Sequence, residues 1–194
     1  MEYVSKVSLE QRYDFKKTFV EYAETLFAEN RVPEKRQELI NTGKQTAGNL
    51  FEIETELTKN IEQILRTEIS RYRKRFQDHN EGFITQWPNE YKLFGWLVSL
   101  KTGGELKAHM HEKGWISGSA YLRVPDKTTA DAGNLVVCIE KDHFLKEGTS
   151  NQKKTMDVST GDLCLFPSSL LHYTIPFASK EERLVLAFDM VPSR

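Results

Sequence analysis

A chain of 194 residues, 39% hydrophobic and 28% charged, is long enough to bury a core as one globular domain. Its formal net charge of −1 provides no long-range field for nucleic acid or an anionic membrane, so neither is expected as a partner. No apolar run spans a bilayer and residues 1–20 lack the apolar core of a signal peptide. A cytoplasmic, reducing location follows as the expectation, with Cys138 and Cys164, each inside an apolar run, as buried thiols.

In chain order, residues 8–29 read as an amphipathic helix. Phe15, Phe19, Tyr22, Ala23, Leu26 and Phe27 fall at helical spacing, and Ser8 with Gln11 suits a capping box. Such a helix also suits the remnant of a longer helical region in a larger parent chain. Pro33 opens a short helical piece that ends at Ile40 before Asn41-Thr42-Gly43. Residues 42–50 are polar and loop-like, without the glycine and lysine order of a phosphate loop. A long helix is predicted from Thr55 to His79, with Leu57, Ile61, Ile64, Leu65, Ile69, Tyr72 and Phe76 on one face. Its run Arg71-Tyr72-Arg73-Lys74-Arg75 is flanked by opposite charge and reads as a solvated face.

After Asn80 the texture changes to short apolar or alternating runs. They cover 91–100, 106–111, 116–124, 135–140, 154–158, 163–166, 172–176 and 184–191, separated by Gly103-Gly104, Pro125-Asp126, Asp131-Ala132-Gly133 and Thr160-Gly161-Asp162. Strands at this spacing argue for an antiparallel jelly roll or barrel. The expected fold class is mainly β with N-terminal helices (α+β), a jelly roll packed against long helices. One domain, 1–194, would comprise a helical part, 1–80, and a β core, 81–194.

The stretch Ala108-His109-Met110-His111-Glu112 carries the chemistry. Side chains at i and i+2 of a strand share a face, so His109 and His111 would present two imidazoles together, and neutral imidazole is a common transition-metal ligand. His172 follows a turn, an apolar strand and the reversal at Pro167, which puts it on a late strand able to face an early one across the roll. The three form a candidate facial set, with positions left open for substrate and oxygen. His79 and His143 lie in polar or charged surroundings and read as surface residues. Arg183 opens the last strand. It suits either a bidentate grip on a carboxylate near the metal or an edge-strand cation paired with Glu181 or Glu182.

The run His109-x-His111-x5-Ser117-Gly118-x2-Tyr121-Leu122-x2-Pro125, then Gly161-Asp162-Leu163-x2-Phe166-Pro167-Ser168-x3-His172-x3-Pro176, then Arg183-x4-Phe188, resembles the 2-oxoglutarate/Fe(II) oxygenases of the prolyl-hydroxylase-like group. The resemblance covers about the second half of the chain. It implies a double-stranded β-helix, Fe(II), and 2-oxoglutarate as co-substrate, with substrate hydroxylation and release of succinate and CO2. It also implies that His109 and His172 bind iron, and that Arg183 and Tyr121 hold the distal carboxylate of 2-oxoglutarate. A core aromatic is the other reading of Tyr121.

Two positions depart from the pattern. His111 stands where Asp or Glu is usual, so a three-histidine set is expected, with Glu112 reaching the metal only through a bulge. Val185 replaces a hydroxyl residue two positions after the arginine. Trp115 suits the pocket mouth or the barrel packing. The alternatives are a cupin, matched loosely by Gly161-x5-Pro167-x4-His172, and an inactive jelly-roll interaction module docking through the helix at 55–79. The primary substrate, a protein side chain or a small molecule, is not encoded in any diagnostic motif, and a homodimer is left open.

Overall fold

Alternation in the second half of the chain closes into two antiparallel sheets. The computed structural model describes residues 1–28, 33–35, 37–140 and 152–193. Its strands are β1 (Ser5–Ser8), β2 (Glu34–Lys35), β3 (Ile40–Thr46), β4 (Tyr91–Leu106), β5 (Ile116–Arg123), β6 (Leu135–Cys138), β7 (Lys153–Met156), β8 (Asp162–Pro167), β9 (Leu171–Thr174) and β10 (Arg183–Pro192). The larger sheet runs β1-β8-β5-β10-β4-β3-β2 and the smaller β7-β6-β9. Tyr121, Cys164, Phe166 and Val185 of the larger sheet pack with Leu135, Val137 and Met156 of the smaller, so the two face one another as a jelly roll.

The period of two on β5 sorts its side chains. Ile116, Ala120 and Leu122 join the cluster on the outer face, whereas Ser117, Ser119 and Tyr121 point between the sheets. Helix α2 (Glu56–Arg75) lends Ile61, Ile64, Leu65, Ile69 and Tyr72 to that outer cluster, together with Leu163, Leu165, Leu184, Leu186 and Phe188. The Thr55 hydroxyl caps α2 by accepting from the Thr58 amide at 3.0 Å. The apolar face of the helix read above as a docking element is thus covered by the chain's own sheet. Glu68, buried on α2, is satisfied by Arg12, Arg71 and the Tyr13 hydroxyl. None of the described helices is long and apolar enough to cross a membrane.

The N-terminal part holds more strand than its composition suggests. The helix expected over 8–29 is replaced by β1, a π-helical turn at Lys16–Val20 and α1 (Glu21–Ala28). Ser8 is drawn into β1 opposite Asp162, and the Leu9 amide donates to Gly161 O at 2.7 Å, which delays the helix. The spacing of Phe15, Phe19, Tyr22, Ala23 and Leu26 still buries all five. The short helix expected at 33–40 and the loop expected at 42–50 are corrected as well. Glu34–Lys35 and Ile40–Thr46 are strands, because β3 extends the larger sheet along β4. A Cβ at Gly43 would lie 2.5 Å from Ser99 O, so only glycine permits this close pairing. The long helices of the expected class reduce to α2, of 20 residues, alone among the described residues.

Candidate metal centre

β4 is longer than the apolar run that predicts it and continues through Gly103-Gly104 to Leu106. Beyond Leu106 the chain leaves the larger sheet and meets the smaller. His109 and His172 form an isolated antiparallel bridge, the His109 amide donating to His172 O at 3.1 Å and the His172 amide to His109 O at 2.8 Å. The His111 amide then donates to Ser168 O at 3.0 Å. His172 of β9 and Ser168, just past the end of β8, therefore hold the His-x-His stretch, which itself lies outside any regular strand.

Three imidazoles converge as a result. The candidate ligand nitrogens of His109, His111 and His172 all lie within 4.8 Å of one another. Ring centroids are 4.3 Å apart for His109 and His172, 4.9 Å for His111 and His172, and 5.0 Å for His109 and His111. Each Nδ1 faces an oxygen: Lys107 O at 2.7 Å from His109, Asp189 Oδ1 at 2.7 Å from His111 and Leu170 O at 3.3 Å from His172. A carbonyl oxygen only accepts, so His109 and His172 carry their proton on Nδ1 and present the Nε2 lone pair, the protonation pattern of a metal-ligating histidine. Burial pushes the His172 pKa well below its usual value, and the neighbouring His109 and His111 add to this against the opposing Leu170 carbonyl. A neutral ring suits metal binding. The donor set of three imidazoles therefore fits a divalent transition metal such as Fe(II).

The cavity between the sheets runs from these histidines to Arg183. Arg183 is 3% exposed, and its Nε has no hydrogen-bond partner. The guanidinium lies 5.0 Å from the centroid of the Tyr121 ring. Burial pulls the pKa of Arg183 down and raises that of Tyr121 far above its usual value. An unpaired buried donor at the end of a polar cavity is costly without a ligand, and a planar carboxylate would satisfy it. The surface-cation alternative for Arg183 is excluded by its place: β10 lies between β4 and β5. Glu182 instead accepts from Ser99 Oγ at 2.9 Å.

Other expected positions resolve differently. Glu112 is exposed and lies outside the three-histidine group. Trp115 donates from Nε1 to Phe83 O at 3.2 Å and stacks on Phe83, so it packs the barrel and the mouth is lined by Trp96. His79 is half-buried rather than on the open surface, with Nδ1 3.0 Å from the Tyr3 hydroxyl. His143 lies outside the described residues. Cys138 and Cys164 are buried thiols outside any disulfide, as expected. Asp189 escaped the sequence reading. It contacts His111 as above and also accepts from the Ser117 hydroxyl at 2.7 Å. A lone carboxylate inside the apolar run 184–191, at the same strand parity as Arg183, was the available signal.

Residues 95–189 match the family described as "Putative 2OG-Fe(II) oxygenase". This stretch holds all three histidines and Arg183, and the match supports a 2-oxoglutarate- and Fe(II)-dependent oxygenase. Solved structures share the fold. A Pseudomonas putida prolyl-4-hydroxylase matches with a TM-score of 0.66 at 14% identity, covering 98% of this chain and 93% of its own. A prolyl hydroxylase from Trichoplax adhaerens, in complex with a hypoxia inducible factor peptide fragment, gives 0.66 at 11% identity over 97% and 83%. HygX from Streptomyces hygroscopicus, solved with nickel and 2-oxoglutarate bound, gives 0.63 at 12% identity over 98% and 83%. No curated protein sequence matches this chain. Fe(II) is thus the metal and 2-oxoglutarate the co-substrate of an oxidoreductase, and the cupin and inactive-module readings give way.

Proposed function

We propose that His109, His111 and His172 hold Fe(II), and that Arg183, braced by Tyr121, receives the distal carboxylate of 2-oxoglutarate. The observation that carries this reading is one cavity with converging imidazoles at its mouth and a buried arginine, its Nε unpaired, at its far end. Bound Fe(II) supplies the oxygen chemistry, which couples decarboxylation of 2-oxoglutarate to succinate and CO2 with hydroxylation of a substrate.

The chain's own part is positioning and shielding. His172 and its bridge partner His109 are locked by paired main-chain hydrogen bonds, so two ligands keep their separation without metal. Val98, Val185 and Leu135 line the middle of the cavity and keep bulk water from the co-substrate. Phe94, an exposed aromatic, lies one alternate position outward from Trp96 on β4, and Trp96 stands 5.6 Å from His111. This end is where the primary substrate enters. A peptide or a small molecule suits it; HygX has also been solved with hygromycin B bound.

Succinate release in the presence of Fe(II), 2-oxoglutarate and oxygen tests the reading. We expect uncoupled turnover above background for the wild type and none for His109→Ala. Succinate formation equal in the two proteins would refute the assignment.

A further inference from the structure

The position two residues after the first histidine usually bears a carboxylate, and here it bears His111. The structure contains a carboxylate at one imidazole's remove. Asp189 Oδ1 lies 2.7 Å from His111 Nδ1, on the side of the ring opposite Nε2. The contact is sheltered, with Asp189 at 13% and His111 at 19% side-chain exposure.

Asp189 is itself held. Ser117 Oγ lies 2.7 Å from Asp189 Oδ1 and 2.9 Å from Ser168 Oγ. Ser117 has one proton, placed to reach either Asp189 or Ser168, and its Oγ also lies 3.2 Å from His111 Nδ1. Ser117 and Asp189 are direct partners across β5 and β10, so the sheet register enforces the contact. Ser168 also anchors the His111 amide through its carbonyl. Gly114 closes over the group: a Cβ there would lie 2.4 Å from Ser168 Oγ and 3.3 Å from Asp189 Cγ. The His111–Asp189–Ser117–Ser168 chain is thus built from three strand ends and a glycine that leaves room for it.

We propose that Asp189 is a positioning residue of the metal centre: by accepting the Nδ1 proton of His111, it aims Nε2 at the metal and returns to the site the negative charge that a three-imidazole set lacks. The inference rests on the reading of His109, His111 and His172 as ligands. A carboxylate behind a ligating imidazole fixes its tautomer and raises its basicity, and loss of such a partner typically costs about 10- to 100-fold in metal affinity. Asn at 189 keeps the shape but not the charge. Its amide nitrogen can instead donate to Nδ1, which moves the ring proton to Nε2 and removes the ligand lone pair.

The test is an anaerobic Co(II) titration of the purified chain, followed by the visible absorption of the bound ion, with the histidine tautomers of the metal-free protein read by nitrogen-15 NMR. For Asp189→Asn we expect circular dichroism like wild type, Co(II) affinity weaker by about 10- to 100-fold, and loss of the His111 Nδ1–H resonance. Ser117→Ala, which frees the carboxylate without deleting it, should weaken affinity in the same direction by less. Wild-type-like affinity and an unchanged His111 tautomer in Asp189→Asn would overturn the role of Asp189 while leaving the three-histidine site intact. Should the wild type take up no Co(II), the three-histidine reading fails and this inference with it.

Discussion

The two faces of the larger sheet differ in kind although the same strands build both. Ile116, Ala120 and Leu122 of β5 and Leu184, Leu186 and Phe188 of β10 meet α2 in a continuous apolar layer. One residue along, Ser117, Ser119 and Tyr121, and Arg183, Val185, Ala187 and Asp189, face the other sheet. Stability is concentrated on the first face, where burial of apolar area is the driving term. The second gives up some of that gain to hold a buried arginine with an unpaired Nε, a carboxylate and hydroxyls. The division teaches that fold and chemistry are separable here by strand parity, so substitutions should separate in the same way.

The largest effect is expected from His172→Ala, on the cavity face. It removes a proposed ligand and the best-buried ring of the three, and Fe(II)-dependent succinate formation should fall to background while the urea midpoint moves little. A variant that still turns over would break the division at its centre. Arg183→Met replaces the buried cation with a side chain of similar length. Loss of a charged hydrogen-bonding partner in a desolvated site costs about 2–5 kcal/mol, which is a factor of at least about 30. The KM for 2-oxoglutarate should rise accordingly, with Co(II) affinity unchanged. A loss of metal binding would show instead that the two ends of the cavity are coupled.

On the opposite face, Leu65→Ala in α2 should cost about 2–5 kcal/mol in urea unfolding and leave the Co(II) affinity of the folded protein as it was. Weakened metal binding would mean that the outer layer sets the site geometry after all. The smallest effect is expected at the helix cap, where Thr55→Ala should destabilise by about 1 kcal/mol by denaturant titration and leave turnover untouched. Cys164 offers a further check on how dry the inner face is. Burial first, and Asp162 next, push its thiol up to about 12. A raised folded-state pKa means that this contribution to stability is complete below the unfolded value of about 8.5 and is lost as pH rises toward 12. Native protein at pH 8 should therefore resist alkylation at Cys164, as read by mass spectrometry, while urea-unfolded protein reacts. Rapid native labelling would place water between the sheets.

Much of this was legible in the chain because period and spacing are local. Alternation located the strands of the β core except at 106–111, where only an isolated bridge at His109 forms, the apolar stripe located α2 to within a few residues, and His109-x-His111 with His172 and Arg183 matched a family pattern. The π-helical turn, β1 and β3 were not legible. Their residues are polar or short, and they become strand or delayed helix because a neighbouring edge offers hydrogen bonds. Asp189 was hidden for a related reason. A carboxylate near the end of the last strand has no local signature, and its meaning comes from a register that sets it opposite Ser117 and beside His111. By itself the sequence determined the secondary structure of the core, the kinds of chemistry available and the family. Tertiary structure decided which carboxylate lies against His111 and that Arg183 lies buried in the cavity. Those facts depend on partners 78 and 83 residues apart along the chain, His111 with Asp189 and Ser99 with Glu182. Only strand pairing brings such residues within hydrogen-bond range.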